Sequence, residues 1–319
     1  MRVLITGITG MVGSHLAEYL LLNYPDVEVF GIKRWRSPLS NLENVVGKAT
    51  LLNADLLDST GLRNAIHEVR PEVVFHLAAQ SDVQTSFLNP SITLQTNILG
   101  TFNLLESIRF EGLDPIIHVC SSSEVYGDIR KEDAPVLETY RLQPASPYAV
   151  SKAGEDLIGH QFFLSYGLRV IRTRMFTHTG PRRGDVFAES AFAKQIARIE
   201  KGLQEPVILV GNLNSVRTYA DVRDAVRAYW LLVKKCIPGE TYNIGGTRTM
   251  TVGKMLDFLM EQSTVKNIAV RIKPELLRPS DVSWQIPNIE KFQKQTGWKP
   301  EIPFEQTMCD LLDYWRARV

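Results

Sequence analysis

The chain has 319 residues, with 36 Lys+Arg against 35 Asp+Glu and a formal charge of +1. That balance excludes a global basic field for holding nucleic acid, and 44% hydrophobic with 22% charged residues excludes a disordered chain. No apolar run reaches the ~18 residues of a membrane-spanning helix, and the length suits two domains better than one core.

Cys120, Cys236 and Cys309 are far apart and odd in number, which predicts free thiols in a reducing compartment, the cytoplasm. The opening Met-Arg-Val-Leu-Ile-Thr-Gly enters strand-like residues at once and lacks a signal-peptide pattern. The six histidines form no cluster at metal-ligand spacing, so no metal is expected.

In chain order, Arg2–Thr6 reads as a buried strand ended by glycine, and Ser14–Leu22 as a helix. Val27–Ile32 and Thr50–Asn53 are the next strands. Asp58–Val69 is a helix, Glu72–Leu77 a strand, and Asn89–Phe110 a long helix. Pro115–Cys120, the helix Pro147–Tyr166 and the strand Arg169–Arg174 follow. This alternation, with continuously apolar strands, predicts an α/β fold with a doubly wound parallel sheet. After a turn-rich segment at Thr177–Asp185 the alternation breaks. Helices are expected at Phe187–Lys201, Asp221–Lys234, Val252–Glu261 and Phe304–Arg318, and strands at Val207–Val210, Thr241–Ile244 and Ala269–Lys273. The reading is a first domain over residues 1–175, to which later segments return, and a second, mainly substrate-binding unit over 176–319.

The first strand runs into Gly7-Ile8-Thr9-Gly10-Met11-Val12-Gly13 and then a helix. Gly7 permits a tight turn, Gly10 lets a pyrophosphate approach the backbone, and Gly13 allows close packing. The helix N-terminus adds free N–H groups and a positive dipole. The second strand then ends in Lys33-Arg34-Trp35-Arg36, where a ribose-binding carboxylate would mark NAD. Cations there suit the extra phosphate of NADP. Asp55, after the third strand, is either an adenine acceptor or a turn residue.

The strand Pro115–Cys120 leads into Ser121-Ser122-Ser123-Glu124-Val125-Tyr126-Gly127, at the strand end where a parallel sheet places its ligand crevice. Glu124 lies two residues after Ser122, so alternation along a strand would aim both at one ligand. Tyr148 and Lys152 sit at i and i+4 of the following helix, on one face. A free tyrosine titrates near ~10; a neighbouring ammonium and an oxidised nicotinamide lower that value and make Tyr148 a usable base. Lys152 can also hold ribose hydroxyls, and Ser122 the oxygen that becomes a carbonyl.

The glycine turn, His76-Leu77-Ala78-Ala79-Gln80, Asn97 in the long helix, Ser122-Ser123-Glu124-Val125-Tyr126-Gly127 and Tyr148-x-x-x-Lys152 together resemble the extended short-chain dehydrogenase/reductase superfamily. Gly31-Ile32-Lys33-Arg34 and Gly180-Pro181-Arg182-Arg183-Gly184 are similar to the GDP-mannose 4,6-dehydratases. Phe192-Ala193-Lys194-Gln195-Ile196 and Tyr219-Ala220-Asp221-Val222-Arg223-Asp224 look equally like the GDP-4-keto-6-deoxymannose reductases. The resemblance implies a Rossmann domain with a smaller, interwoven substrate domain. It departs from the dehydratases in having Ser122 for their usual Thr, Thr177 for their usual Asn, and a shorter C-terminal part.

By resemblance, the catalytic set is Ser122, Glu124, Tyr148 and Lys152. Cofactor contacts are implied for Gly7, Thr9, Gly10, Met11, Val12, Gly13, Lys33, Arg34, Asp55, Leu56, Leu77, Ala78, Ala79, Gln80, Asn97 and His178, besides Tyr148 and Lys152. Substrate contacts are implied for Ser122, Ser123, Glu124, Tyr148, Thr177, Arg183, Lys194, Arg217 and Arg278, the four cations serving the diphosphate. The implied activity is a 4,6-dehydratase that takes GDP-mannose, or a related GDP-hexose or heptose, to the 4-keto-6-deoxy sugar by internal hydride transfer with NADP, NAD being the lesser candidate. The alternatives are an NADPH-dependent 4-keto sugar reductase, a 4-epimerase, and a non-catalytic NADP-sensing protein. The helices Asn89–Phe110 and Pro147–Tyr166 resemble the pair that forms a four-helix interface, which implies a homodimer or homotetramer.

Overall fold

A computed structural model describes residues 1–319. Its strands are β1 (Arg2–Thr6), β2 (Glu28–Lys33), β3 (Thr50–Asn53), β4 (Val73–His76), β5 (Ile116–Ser122), β6 (Arg169–Met175), β7 (His178–Thr179), β8 (Val207–Val210), β9 (Val216–Thr218), β10 (Ala220–Asp221), β11 (Thr241–Ile244), β12 (Thr249–Thr251), β13 (Ala269–Ile272) and β14 (Trp284–Gln285). Its helices are α1 (Met11–Asn23), α2 (Ser59–Val69), α3 (Val83–Leu88), α4 (Pro90–Leu94), α5 (Gly100–Phe110), α6 (Pro147–Tyr166), α7 (Ala188–Glu200), α8 (Val222–Lys235), α9 (Val252–Glu261), α10 (Glu290–Thr296) and α11 (Phe304–Arg316).

Seven strands form one sheet in the order β11-β6-β5-β4-β1-β2-β3, and every neighbouring pair is parallel. The strands are apolar on both faces because both are covered. Val3, Ile5 and Phe75 pack with α1 and α8 residues on one side, whereas Leu4, Val74 and Ile117 pack with α2 and α5 on the other. Strand order reverses between β1 and β4, the switch point where such sheets open a crevice.

The chain returns to this sheet after residue 175. β11 pairs with β6, and α8 and α10 supply Tyr229, Trp230 and Phe292 to the core on the α1 face. A separate core joins α7, α9 and α11 with β8, through Phe192, Ile196, Ile208, Leu256, Met308 and Leu311. The site lies between these two bodies.

Local signals explain the helix boundaries. Asp58 caps α2 by accepting from Thr60 N and Gly61 N, and Arg70 ends it in left-handed geometry. Ser146 caps α6 at Ala149 N, Pro147 occupies its first turn, and Gly167 closes it with φ 72°. The expected helix Asn89–Phe110 is broken into α4 and α5 by a π-helical turn over Gln95–Leu99. The helix α3 has only six residues and is N-capped by Asp82, whose carboxylate accepts from Gln84 N and Thr85 N.

Candidate active site

A cleft of about 1370 Å³ opens beyond the carboxyl ends of β1, β4 and β5 and continues against α7 and β9. At one end lies the glycine turn. Gly7 has φ +71°, and a Cβ on Gly13 would sit 2.3 Å from the Gly7 carbonyl oxygen, so only glycine allows this close turn. The α1 N-cap is Gly10, with no side-chain cap and no acidic residue in the first turn. Thr9, Met11 and Val12 line the cleft beside it. Uncapped amides facing a cavity, with no competing carboxylate, fit a pyrophosphate.

Farther along the switch point, Thr6 fixes the end of β4. Its Oγ1 accepts from Leu77 N at 3.2 Å and Ala78 N at 3.1 Å, and it bonds His76 Nδ1 at 2.9 Å. Leu77, Ala78, Ala79 and Gln80 thereby line the cleft. The Gln80 Oε1 atom is buried without a partner, while its Nε2 donates to Asp82 O at 3.0 Å. At the outer end, Lys33 Nζ donates to Asn53 Oδ1 at 2.7 Å, while Arg34 is exposed on the cleft rim. Asp55 Oδ1 accepts from Leu57 N at 3.0 Å, closing a turn, and both Asp55 and Leu56 face the cleft.

Asn97 corrects the expectation. It is fully buried and lines no part of the cleft. Its Oδ1 accepts from Gln80 N at 2.8 Å, and its Nδ2 donates to Gln80 O at 3.0 Å and Ser151 Oγ at 2.8 Å. From the π-helical turn it thus ties the end of β4 to α6, behind the site.

The catalytic set converges on the mouth of β5. Ser122 ends the strand, and its Oγ accepts from Glu124 N at 3.2 Å. Glu124 is not on the strand, as alternation suggested. It sits in a 3-10 turn over Ser123–Tyr126 that Gly127 closes with φ 71°. Its carboxylate is held by Gln285, whose Nε2 donates to Oε1 at 2.9 Å. Ser122, Ser123, Glu124, Tyr148 and Lys152 all line the cleft. Burial pushes the Tyr148 phenol above its ordinary value, and Lys152 and then Ser122 pull it back down. The sequence expectation of a lowered value is therefore not met in the protein alone, because desolvation outweighs the ammonium. Lys152 Nζ is only 2.6 Å from Glu155 Oε2, and both side chains are buried.

His178 also faces the cleft. Its Nδ1 donates to the Phe176 carbonyl at 3.1 Å, and burial brings its pKa down to about 4, so it is neutral. Thr177 lies beside it on the wall. Of the four cations expected at a diphosphate, Arg217 and Arg278 converge on Asp281 at 3.7 and 3.9 Å. Lys194 pairs with Asp185 at 2.6 Å near the rim. Arg183 lies deeper, within charge reach of Tyr148 and His178, with its guanidinium 3.4 Å from the Phe187 ring centre.

Two cleft groups escaped sequence reasoning. Gln285 reaches Glu124 across 161 residues of chain. Glu189 is buried 3.3 Å from Arg183. Neither belongs to a local motif; only the tertiary fold brings them in. Cys120, on the same strand as Ser122, borders the cleft and contacts Tyr229 Oη at 3.3 Å.

The family model for GDP-mannose 4,6 dehydratase matches residues 4–311 of this chain. The chain belongs to that family. It is 30% identical over 318 residues to a GDP-6-deoxy-D-mannose reductase from Pseudomonas aeruginosa, covering 100% of this chain and 98% of that protein. It is 33% identical over 351 residues to a GDP-mannose 4,6-dehydratase from Vibrio cholerae, covering 97% and 92%. Among solved structures, RMD from Pseudomonas aeruginosa complexed with NADPH superimposes with a TM-score of 0.87 at 30% identity, covering 100% of this chain and 99% of that one.

Proposed function

We propose that this protein is an NADP-dependent 4,6-dehydratase of a GDP-hexose, with GDP-mannose the first substrate to try. The observation that carries the reading is Glu124, a carboxylate fixed by Gln285 in the same cleft as Ser122 and Tyr148. The glycine turn, the orphaned Gln80 Oε1 and the Lys33–Arg36 cations suit a dinucleotide with an extra phosphate.

When bound, NADP supplies the acceptor for a hydride from C4 and returns that hydride to C6. Tyr148, as phenolate, takes the proton from the C4 hydroxyl, and Ser122 donates a hydrogen bond to that oxygen as it becomes a carbonyl. The C4 ketone acidifies C5–H, and Glu124 takes that proton. It then delivers the proton to the C6 hydroxyl, which departs as water. C5 finally regains a proton, the equivalent of the one Tyr148 accepted, so the net change is loss of one water. Arg217 and Arg278 neutralise the diphosphate. Lys152 holds ribose hydroxyls and stabilises the Tyr148 phenolate.

The second reading is an NADPH-dependent 4-keto-6-deoxy sugar reductase. It is favoured by end-to-end alignment with the Pseudomonas reductase over 318 residues, where the Vibrio dehydratase needs 351. In that reaction Glu124 has no proton to move. Product analysis separates the two. A dehydratase converts GDP-mannose to the 4-keto-6-deoxy sugar without net cofactor consumption. A reductase leaves GDP-mannose untouched and oxidises NADPH only with a 4-keto-6-deoxy sugar.

The assembly is a homodimer or homotetramer under the same proposal. Ile92, Leu99 and Phe102 on the α4–α5 segment, and Val150, Leu157 and Leu164 on α6, are exposed apolar side chains. A second copy would cover them, as expected for helices apolar on more than one face.

A further inference from the structure

Glu155 is a buried carboxylate that the mechanism above does not use. It lies three residues after Lys152 on α6, with its side chain 1% exposed. Oε2 accepts from Lys152 Nζ at 2.6 Å, while Oε1 is buried with no partner. The next residue, Asp156, behaves differently. Its two oxygens accept from Arg172 Nη1 at 2.9 Å and Arg174 Nε at 2.8 Å, an ion network of the fold. Glu155 takes no part in it. Its one partner is the ammonium that the chemistry needs. A buried acid–ammonium pair seldom stabilises a fold more than apolar side chains of the same volume would, so packing alone does not account for Glu155.

We propose that Glu155 is a positioning residue whose carboxylate competes with the Tyr148 phenolate and the cofactor ribose for the Lys152 ammonium, and so sets the pH range in which Tyr148 exchanges its proton. The proposal rests on the assignment of Tyr148 as the acid–base residue. The groups facing Tyr148 are Lys152 and Glu155 on α6, Ser122 and Cys120 on β5, Arg183 before α7, and Tyr229 on α8. Burial pushes Tyr148 up; Lys152 and Ser122 oppose this, and Glu155 and Cys120 add to it. Burial likewise pushes the Glu155 carboxyl up against the pull of Lys152. The Lys152 ammonium, in spite of its burial, is held up by Glu155 and then by Tyr148 and Cys120. Within the pair, therefore, the ammonium persists and the carboxylate is the group that takes a proton first. When it does, the whole charge of Lys152 becomes available to Tyr148.

Two measurements on Glu155→Gln test this. The first is the phenolate absorbance titration of the cofactor-free protein, with Tyr148→Phe as the blank that isolates Tyr148. The second is the pH profile of kcat/KM with NADP and GDP-mannose. Gln keeps an oxygen for Lys152 and removes the charge. Both midpoints should move to lower pH by about one unit. Glu155→Asp, which retains the charge at shorter reach, should move them the same way by less, and it serves if Glu155→Gln does not fold. A wild-type dehydratase whose Tyr148 titration is unmoved by these substitutions overturns the Glu155 role and leaves the functional reading standing. A shifted titration in a protein without dehydratase turnover overturns the functional reading and leaves the Glu155 role standing.

Discussion

Removing the guanidinium of Arg34 should cost the protein its preference for NADP over NAD. Arg34 follows β2 directly and is exposed on the rim of the cleft, with Lys33 pinned beside it to Asn53. No carboxylate occupies Lys33–Arg36, the stretch that would hold a free ribose hydroxyl pair. A guanidinium about 4 Å from one phosphate charge gains roughly 1 kcal/mol in bulk water and about 4 kcal/mol near a protein surface. Exposure places Arg34 between these limits, and hydrogen bonds to charged groups contribute about 1.5–3 kcal/mol. Arg34→Ala should therefore weaken NADP binding by about 10- to 100-fold. NAD lacks the phosphate, so its Kd should change by less than about twofold on the same argument. Titration calorimetry with both dinucleotides measures this directly. Because the Debye length falls from about 10 Å at 0.1 M salt to about 3 Å at 1 M, the wild-type preference should also shrink with salt, and the variant's far less. Tighter binding of NAD than NADP by the wild type, unaffected by Arg34→Ala, refutes the reasoning.

Three further outcomes follow from the fold. Asp156→Ala leaves the buried Arg172 and Arg174 without their carboxylate; the expected loss is about 3–5 kcal/mol, a fall in Tm of about 4–8 °C for a chain of this size, and an unchanged Tm contradicts it. His76 and His118 are fully buried, and desolvation brings their pKa values down to about 3. The unfolded chain protonates both near ~6.5, so stability present above that value is lost as pH falls toward 3, by about 1.4 kcal/mol per pH unit for each ring. Urea midpoints at pH 7, 6 and 5 should fall accordingly, and His118→Gln should lower the slope by one ring's share, about 1.4 kcal/mol per pH unit. Sedimentation at micromolar concentration should give a dimer or tetramer; a monomer contradicts the proposed covering of the α4–α6 apolar face.

Features encoded within a few residues were legible in the sequence. The glycine turn, the Ser146-Pro147 start of α6 and the apolar strands of the sheet each depend on neighbours in the chain; the structure places the last two as read and starts α1 at Met11, inside the glycine run. Short edge strands such as β7, β10 and β14, at two residues each, carry too little pattern to be seen. The structure departs from the local pattern where a tertiary constraint overrides it. Glu124 was read by strand alternation, but the Ser122 hydroxyl bonds its amide and Gly127 turns the chain, winding a 3-10 turn instead. Asn97 was read as a cofactor contact because it belongs to the motif set. The π-helical turn rotates it behind the cleft, where Gln80 and Ser151 satisfy it. Gln285 was invisible for a plain reason: it acts on a residue 161 positions away.

The central claim is that Tyr148 and Glu124 together carry out an internal oxidation, elimination and reduction on one sugar ring. Its most direct measurement is isotopic. GDP-mannose deuterated at C4 is incubated with the wild-type protein and catalytic NADP, and the product is analysed by mass and by NMR. The product should be a 4-keto-6-deoxy sugar with the deuterium at C6 and no net change in NADPH, and Glu124→Gln should block its formation. A wild-type protein that leaves this substrate intact yet consumes NADPH with a 4-keto-6-deoxy sugar, or a Glu124→Gln variant with full dehydratase turnover, contradicts it.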